Sequence, residues 1–365
     1  MIELKPGMSL RELDTPALLL DLPAFRRNVE RMADFFAGRP AALRPHAKTH
    51  KCPQVAKHQL AAGAIGITCA KVSEAEVMAA AGVEDLLIAN QVTGAVKIDR
   101  LTDLARRCDL MVAVDDAANV AQLSEACVTK GVEIRVLVEV DIGMARCGVA
   151  PGAPALALSR QVAQAPGLTF KGLMGYEGHL VLVADLEERA QKVREALAPL
   201  QETVDRIEAA GLPVEIVSGG GTGTYDVTGT TPPMTEIQAG SYVFMDTTYL
   251  PVRPEFESAL TVLSSVVSRP TPERVVVDAG LKSMTKEFGW PQPLGTEAVS
   301  VKYLSEEHGV LTVEDPEAVV WRPGDQVVFR PSHCCTTVNL HDRLHVVEDG
   351  TLVTVWPIAA RGAVQ

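Results

Sequence analysis

Five cationic or ionisable side chains, Arg44, His46, Lys48, His50 and Lys51, crowd the stretch ALRPHAKTHK at residues 42 to 51. Lys48 closes a short run with strand character, whereas Lys51 opens the next helical pattern. A lysine at a strand end, in a desolvated pocket, has its pKa lowered and can form a Schiff base with an aldehyde. The alternative is a solvated loop cation. Three other segments bear on that choice. EVDIGMARCGV places Arg146 just past a strand pattern, where a permanent cation suits an oxyanion such as a phenolate. IVSGGGTGTYD follows another strand pattern, and its Ser218, Gly220, Gly221 and Thr222 are small enough for backbone N–H groups to surround a phosphate. GYEGH supplies Tyr176, Glu177 and His179 at a further strand end. Lysine, arginine, aromatic ring and phosphate cradle together describe a site for pyridoxal phosphate.

Those residues need a frame that brings distant strand ends to one rim. Runs rich in β-branched residues fall at 42–48, 65–70, 85–90, 109–116, 134–142, 170–176, 214–218 and 236–242, with helical patterns between them. One more helix precedes the first strand, with Asp21 suited to cap it, Pro23 to its first turn and Gly38 to its exit. A longer one precedes the seventh strand, and its Pro199 is expected to bend or break it. Eight alternating units match an α/β fold, a closed (β/α)8 barrel whose strand carboxyl ends face the active site. An open doubly wound sheet is the alternative, because periodicity does not show closure. After about residue 250 the texture changes to alternating runs such as LTVLSSVVS, QVVFRPS and LVTVWPI with almost no helical period. The expected division is a barrel over residues 1–250 and a mainly β domain over 251–365, with the first ~15 residues free to join the latter.

The pieces DTPALLLDL, RPHAKTHK, KVSEAE, DIGMARCGV, VSGGGTGTYD, EIQAGSYVFMD, VVDAGLKS, EEHG and PSHCCTTVNLHD run through nearly the whole chain. In their order and spacing they resemble the fold-type III pyridoxal phosphate enzymes, and among them the D-threonine aldolase and D-serine dehydratase family. The resemblance implies that Lys48 is the Schiff-base residue, that Arg146 faces the cofactor's phenolic oxygen, and that Tyr176 stands at its ring. It places Ser218, Gly220, Gly221 and Thr222 in the phosphate loop and Tyr242 in the same pocket. It implies a divalent metal, zinc, manganese or similar, on His333 and Cys335, and a homodimer. Asp278, Lys282 and His308 then either reach the partner's site or serve the β domain alone. His333 and Cys335 are two residues apart, so an extended strand would point both at one ion and send Cys334 the opposite way. The alternative is a buried cysteine beside an unrelated histidine.

The implied activity is lyase chemistry on a D-β-hydroxy-α-amino acid: retro-aldol cleavage to glycine and an aldehyde, with His179 or a metal-bound water as the base. The alternative is elimination of water. His-x-Cys is the dehydratase pattern, and Leu182 stands where aldolases carry a histidine, whereas SGGGTGTYD, GSYVFMD and TTVNLHD are closer to the aldolases. A racemase would have no use for a metal, and a cofactor-homeostasis protein would lack the β domain. The formal net charge of −12 argues against nucleic acid or an anionic membrane as partner. No stretch resembles a signal peptide or a membrane span, and seven scattered cysteines point to reduced thiols in the cytoplasm.

Overall fold

The computed structural model describes residues 4–365. All eight strand expectations of the first part of the chain are met, as β2 (Ala42–Leu43), β3 (Ile67–Cys69), β4 (Asp85–Gln91), β5 (Asp109–Val114), β6 (Ile134–Glu139), β7 (Leu168–Gly175), β8 (Ile216–Gly219) and β9 (Glu236–Ile237). They are parallel neighbours in the order β2-β9-β8-β7-β6-β5-β4-β3. The backbone beyond β2 also reaches β3: Ile65 N–H donates to Leu43 O at 2.9 Å, Thr68 N–H to Pro45 O at 2.9 Å, and His46 bridges Thr68. The sheet therefore closes as a barrel. Leu87, Met111, Ala113, Leu137 and Met174 form one buried cluster, drawn from alternate positions of β4 to β7 as a barrel interior requires.

Helices α1 (Leu22–Phe36), α2 (Pro53–Ala61), α3 (Val72–Ala80), α4 (Ala95–Leu104), α5 (Ala117–Lys130), α6 (Ala153–Gln164), α7 (Leu186–Ala209) and the short α8 (Tyr225–Thr228) alternate with the strands. Asp21 caps α1, accepting Ala24 N–H at 2.8 Å. Pro199 does not break α7, which runs through it for 24 residues. The lost N–H is tolerated because Val193, Leu197, Leu200, Val204 and Ile207 hold one face buried, and Thr203 Oγ1 donates to Pro199 O at 2.6 Å.

The start of the barrel carries a buried ionic lattice. Arg44, from the opening cluster, is 2 % exposed and binds Glu236 through Nε at 3.0 Å and Asp85 through Nη1 at 2.7 Å. Arg135 joins Asp85 and Asp109, each at 2.7 Å. Gly66 makes room: a Cβ there would lie 2.1 Å from Arg44 Nη1.

The chain divides into two compact units, one comprising Met32–Lys48, Pro53–Gly240 and Gly362–Gln365, the other the chain up to Arg31, Thr49–Cys52 and Ser241–Arg361. In the latter, β1 (Ala17–Asp21) pairs antiparallel with β10 (Leu260–Thr271) and parallel with β16 (Arg343–Glu348). β11 (Arg274–Val277), β12 (Gln292–Pro293), β13 (Val299–Leu304), β14 (Gly309–Val313), β15 (Gln326–Arg330) and β17 (Thr351–Pro357) complete a mainly β unit containing one five-residue helix, α9 (Cys334–Val338). Asp278 is committed inside it, accepting Ser265 N–H at 2.8 Å and Thr15 Oγ1 at 2.5 Å. Lys282 makes an exposed pair with Glu307 at 2.6 Å, and His308 is exposed. His341 and His345 are both half-buried, His341 Nε2 donating to Ser283 O at 2.9 Å and His345 Nδ1 to Leu18 O at 3.1 Å. No described helix is long and apolar enough to cross a membrane.

Candidate active site

β2 ends at Leu43, so Lys48 stands in a single 3-10 turn, Ala47–Thr49, rather than on the strand. Its side chain is exposed, not desolvated as a strand-end position suggested. The turn starts from a fixed point: His46 is buried, and its Nδ1 accepts the Lys48 N–H at 3.4 Å. Tyr176, following β7, is the meeting place. Lys48 Nζ lies 6.0 Å from its ring centroid and Arg146 Cζ 5.6 Å. A Cβ added to Gly221, after β8, would stand 3.3 Å from Tyr176 Oη. Amine, guanidinium and glycine turn thus gather on one aromatic ring from four strand ends.

The loop bearing Arg146 is shaped locally. Asp141 Oδ1 accepts the N–H groups of Gly143 (3.0 Å) and Ala145 (3.1 Å), and Val140 bridges Val149 at the loop's base. Arg146 itself is half exposed, with Nη2 4.0 Å from Glu139 Oε1. Glu139 ends β6, is 4 % exposed, and accepts from Gln91 Nε2 at the end of β4. Burial raises its pKa, while the Gln91 bond and the Arg146 charge oppose the rise. His179, in the turn Gly178–Leu180, is exposed and packs over this loop: a Cβ on Gly143 would be 3.2 Å from its Cε1.

The glycine turn is rigid by crowding. Ser218, Gly220, Gly221 and Thr222 are all buried, and Ser218 Oγ accepts from Gln238 Nε2 at 2.8 Å. Gly220 has φ +74°, and a Cβ on Gly223 would fall 1.8 Å from Val181 O. Beneath the turn, Glu177 is fully buried and its Oε1 accepts the hydroxyls of Thr224 and Thr228, each at 2.5 Å. Thr224 Oγ1 in turn accepts Gly221 N–H at 3.2 Å. A primary amine, a fixed cation and a crowded glycine turn around one ring fit a planar aldehyde carrying a phenolate and a phosphate. Tyr242 lies in the mainly β unit, fully buried, its ring 5.9 Å from that of Phe256.

The β unit holds a second constellation. His333 and Cys335 do not lie on a strand: His333 is the N-cap of α9, and the two cysteines are its first residues. A helical start turns successive side chains by about 100° rather than 180°, so Cys334 is not sent to the opposite face. One ligand atom from each of His333, Cys334 and Cys335 lies within 4.8 Å of the others. Asp246, wholly buried, organises the group: Oδ2 bonds His333 Nδ1 at 2.9 Å and accepts Cys334 N–H at 2.9 Å. Its Oδ1 accepts Thr248 N–H at 3.1 Å and Tyr249 N–H at 2.8 Å. Thr49, the residue after Lys48 in the chain, has its hydroxyl 3.2 Å from Cys335 Sγ. A hydrogen bond from Cys334, with the His333 charge and the Thr49 contact, holds the Cys335 thiol well below its usual range against the cost of burial. Burial disfavours the charged His333 ring, yet Cys335 and Asp246 outweigh it and push its pKa up to about 10. Imidazole with thiolate is a donor set for a borderline divalent ion.

Sequence reading assigned no role to Glu139, Gln91, Asp246 or Thr49, and it set Glu177 at a strand end beside Tyr176, whereas Glu177 is fully buried. Glu139 carried the plainest signal, a carboxylate ending the otherwise apolar run VLVE.

The family described as alanine racemase, N-terminal domain, matches residues 20–248, and a putative serine dehydratase domain matches residues 259–347. A D-threonine aldolase from Arthrobacter sp. is 43% identical over 98% of this chain and 95% of its own. The crystal structure of D-threonine aldolase from Filomicrobium marinum superposes with a TM-score of 0.97 at 42% identity, covering 99% of this chain and 100% of that one. A D-threo-3-hydroxyaspartate dehydratase from Delftia sp. (strain HT23) is 30% identical over 90% of this chain and 93% of its own.

Proposed function

The chain belongs to the alanine racemase N-terminal-domain family, the fold-type III pyridoxal phosphate enzymes, and on that premise we propose that it cleaves D-β-hydroxy-α-amino acids to glycine and an aldehyde. It is a pyridoxal phosphate-dependent lyase of the D-threonine aldolase type. The observation that carries carbon–carbon cleavage over water loss is graded similarity along the full chain, 43% to an aldolase against 30% to a dehydratase. Cys335, in a dehydratase-like His-x-Cys pair, favours the second reading, elimination of water.

Bound pyridoxal phosphate supplies an electron sink for the pair left on Cα when the Cα–Cβ bond breaks. Lys48 Nζ is the amine that would hold the cofactor's aldehyde. Arg146, held by its Asp141 turn and the nearby Glu139, faces the phenolic oxygen. The turn containing Ser218, Gly220, Gly221 and Thr222 would receive the phosphate, and Tyr176 would flank the ring. His333 and Cys335 hold a divalent ion, zinc, manganese or similar, which supplies a Lewis acid for the β-hydroxyl. His179 takes the hydroxyl proton at a ring nitrogen. We read the protein as a cytoplasmic homodimer. Free thiols at all seven cysteines support the compartment, and exposed Phe288 and Trp290, the former edge-on to His333 at 5.0 Å, support a covered face.

Incubation with D-threonine, D-serine or D-3-hydroxyaspartate is expected to yield glycine and an aldehyde, and chelation to suppress the yield. Keto acid and ammonia without glycine would exclude the aldolase reading. Lys48→Ala should abolish turnover, a loss of about 10³-fold or more, together with the visible absorbance of lysine-bound cofactor. Persistence of that absorbance would refute the assignment of the anchor.

A further inference from the structure

Arg146 is a long, half-exposed side chain on a loop, and Asp141 shapes that loop only through backbone N–H groups. A guanidinium so placed swings into solvent unless a partner holds it. Among the described residues one carboxylate stands within 4.0 Å of it, Glu139 through Oε1. Glu139 follows Leu137 of the buried interior cluster by two residues on β6, so its side chain enters the mouth of the barrel. Its orientation is set from β4. Gln91 Nε2 donates to Glu139 Oε2 past the intervening strand β5. β4 is irregular where this happens: Ile88 pairs with Val112 and Gln91 with Ala113, so three steps along β4 match one along β5. Such an irregularity re-aims the side chains that follow it. Asn90 fixes it in place. Asn90 Oδ1 accepts Gln91 N–H at 3.0 Å, and Nδ2 donates to Ala70 O, just past β3, at 3.0 Å. Ala70 N–H is held in turn by the wholly buried Glu74 at 2.6 Å. A hydrogen-bonded chain therefore runs from β3 through β4 to β6 and stops at Arg146.

We propose that Gln91 is a positioning residue: its amide orients the Glu139 carboxylate, and that carboxylate holds the Arg146 guanidinium toward the phenolic oxygen of pyridoxal phosphate. The inference rests on the reading of Arg146 given above and deepens it. Burial works most against the charge on Glu139, and Asp115 and Asp141 add to that, while the Gln91 bond and the Arg146 charge favour the ionised form. Asp115 is engaged by Gly148 N–H at 2.9 Å. Cys147, the neighbouring thiol, is pushed up by burial and by Glu139 and Asp115, and His179 packs on the loop at Gly143. Without its amide donor the buried carboxylate is free to turn from Arg146. A guanidinium held at the phenolic oxygen lowers that oxygen's basicity, and a freed one lets the oxygen retain a proton at the adjoining lysine-bound nitrogen to higher pH.

The test reads two properties of the full-length protein: its affinity for added pyridoxal phosphate, and the pH midpoint at which the visible absorbance of lysine-bound cofactor titrates. Arg146→Ala sets the scale, with affinity about tenfold weaker and a midpoint about one pH unit higher. Glu139→Gln, equal in shape but uncharged, should move both readings the same way by a comparable amount. Gln91→Met, which keeps the length and loses the donor, should move them by less. In an Arg146→Ala background neither change should shift the midpoint further, because no guanidinium is left to aim. A midpoint that stays or falls in Glu139→Gln, or that stays in Gln91→Met, overturns the proposal, as do additive shifts in the double variants. A merely structural role would lower the melting temperature and leave the midpoint in place. Gln91→Asn, whose amide is one methylene short of Glu139, replaces Gln91→Met if the latter does not fold. If Arg146→Ala itself leaves the midpoint unmoved, the assignment of Arg146 falls and the proposal with it. A wild type that develops no visible absorbance with pyridoxal phosphate overturns the cofactor reading beneath both.

Discussion

The barrel site and the histidine-cysteine cluster achieve convergence by opposite means. Around Tyr176, each functional side chain comes from a different strand end, and sequence separations of tens to more than a hundred residues are bridged by the closed parallel sheet. Around Asp246, three consecutive residues bring one side-chain donor atom each within 4.8 Å of the others, and one buried carboxylate bonds both the His333 ring and the Cys334 N–H. The first arrangement depends on a global scaffold, the second on a single local device. The difference predicts which substitutions spread and which stay put.

The largest effect belongs to the scaffold. Arg44→Ala leaves the carboxylates of Glu236 and Asp85 without their shared guanidinium, and Glu236 is 2 % exposed. Breaking a buried ion pair from one side costs about 3–5 kcal/mol, so denaturant melts should show a loss of that size. Weaker retention of pyridoxal phosphate should accompany it, although Arg44 faces the start of the barrel and not its rim. A variant as stable as wild type would break the claim that the strand-end site rests on this lattice.

Asp246→Ala tests the local device. It strips four hydrogen bonds from one carboxylate, among them the one that orients His333. Loss of such a supporting group lowers metal affinity by about 10–100-fold. Competition with a chromophoric chelator measures it, and the lysine-bound cofactor absorbance should survive. Equal loss of both would erase the contrast between the two constructions.

The same contrast governs how far the sequence could be read. Strand ends were legible because a (β/α)8 pattern announces itself over many units, and the rule that function sits at carboxyl ends then singled out Lys48, Arg146 and the glycine turn. Their detailed placement was not legible: β2 is two residues long because its continuation pairs only through His46 and its neighbours, so Lys48 sits in a turn. HCC at 333–335 was legible as chemistry but misread as geometry. Extended and helical-start conformations share this short polar-apolar pattern, and the deciding partner, Asp246, is 87 residues away. Glu139 and the buried placement of Glu177 were hidden for a similar reason, since burial of a carboxylate is a tertiary fact.

The smallest effect should come from Glu177, and it asks whether a strand-end site can also contain a local device. Thr224 gives its hydroxyl proton to Glu177 Oε1, which turns its lone pair toward Gly221 N–H and fixes the plane of that peptide. Thr228 is held by the same oxygen. Glu177→Ala leaves two buried hydroxyls without an acceptor and frees the turn, at about 1–3 kcal/mol. If the turn receives the phosphate, part of that loss should be read as cofactor affinity, about tenfold weaker for each 1.4 kcal/mol. Glu177→Gln keeps a carbonyl oxygen where Oε1 stands and should restore most of the affinity. A role confined to packing would lower the melting temperature in both variants and leave the pyridoxal phosphate titration unmoved. An affinity that falls in Ala and returns in Gln assigns Glu177 to the positioning of the glycine turn, and makes the barrel site a global frame with one local strut.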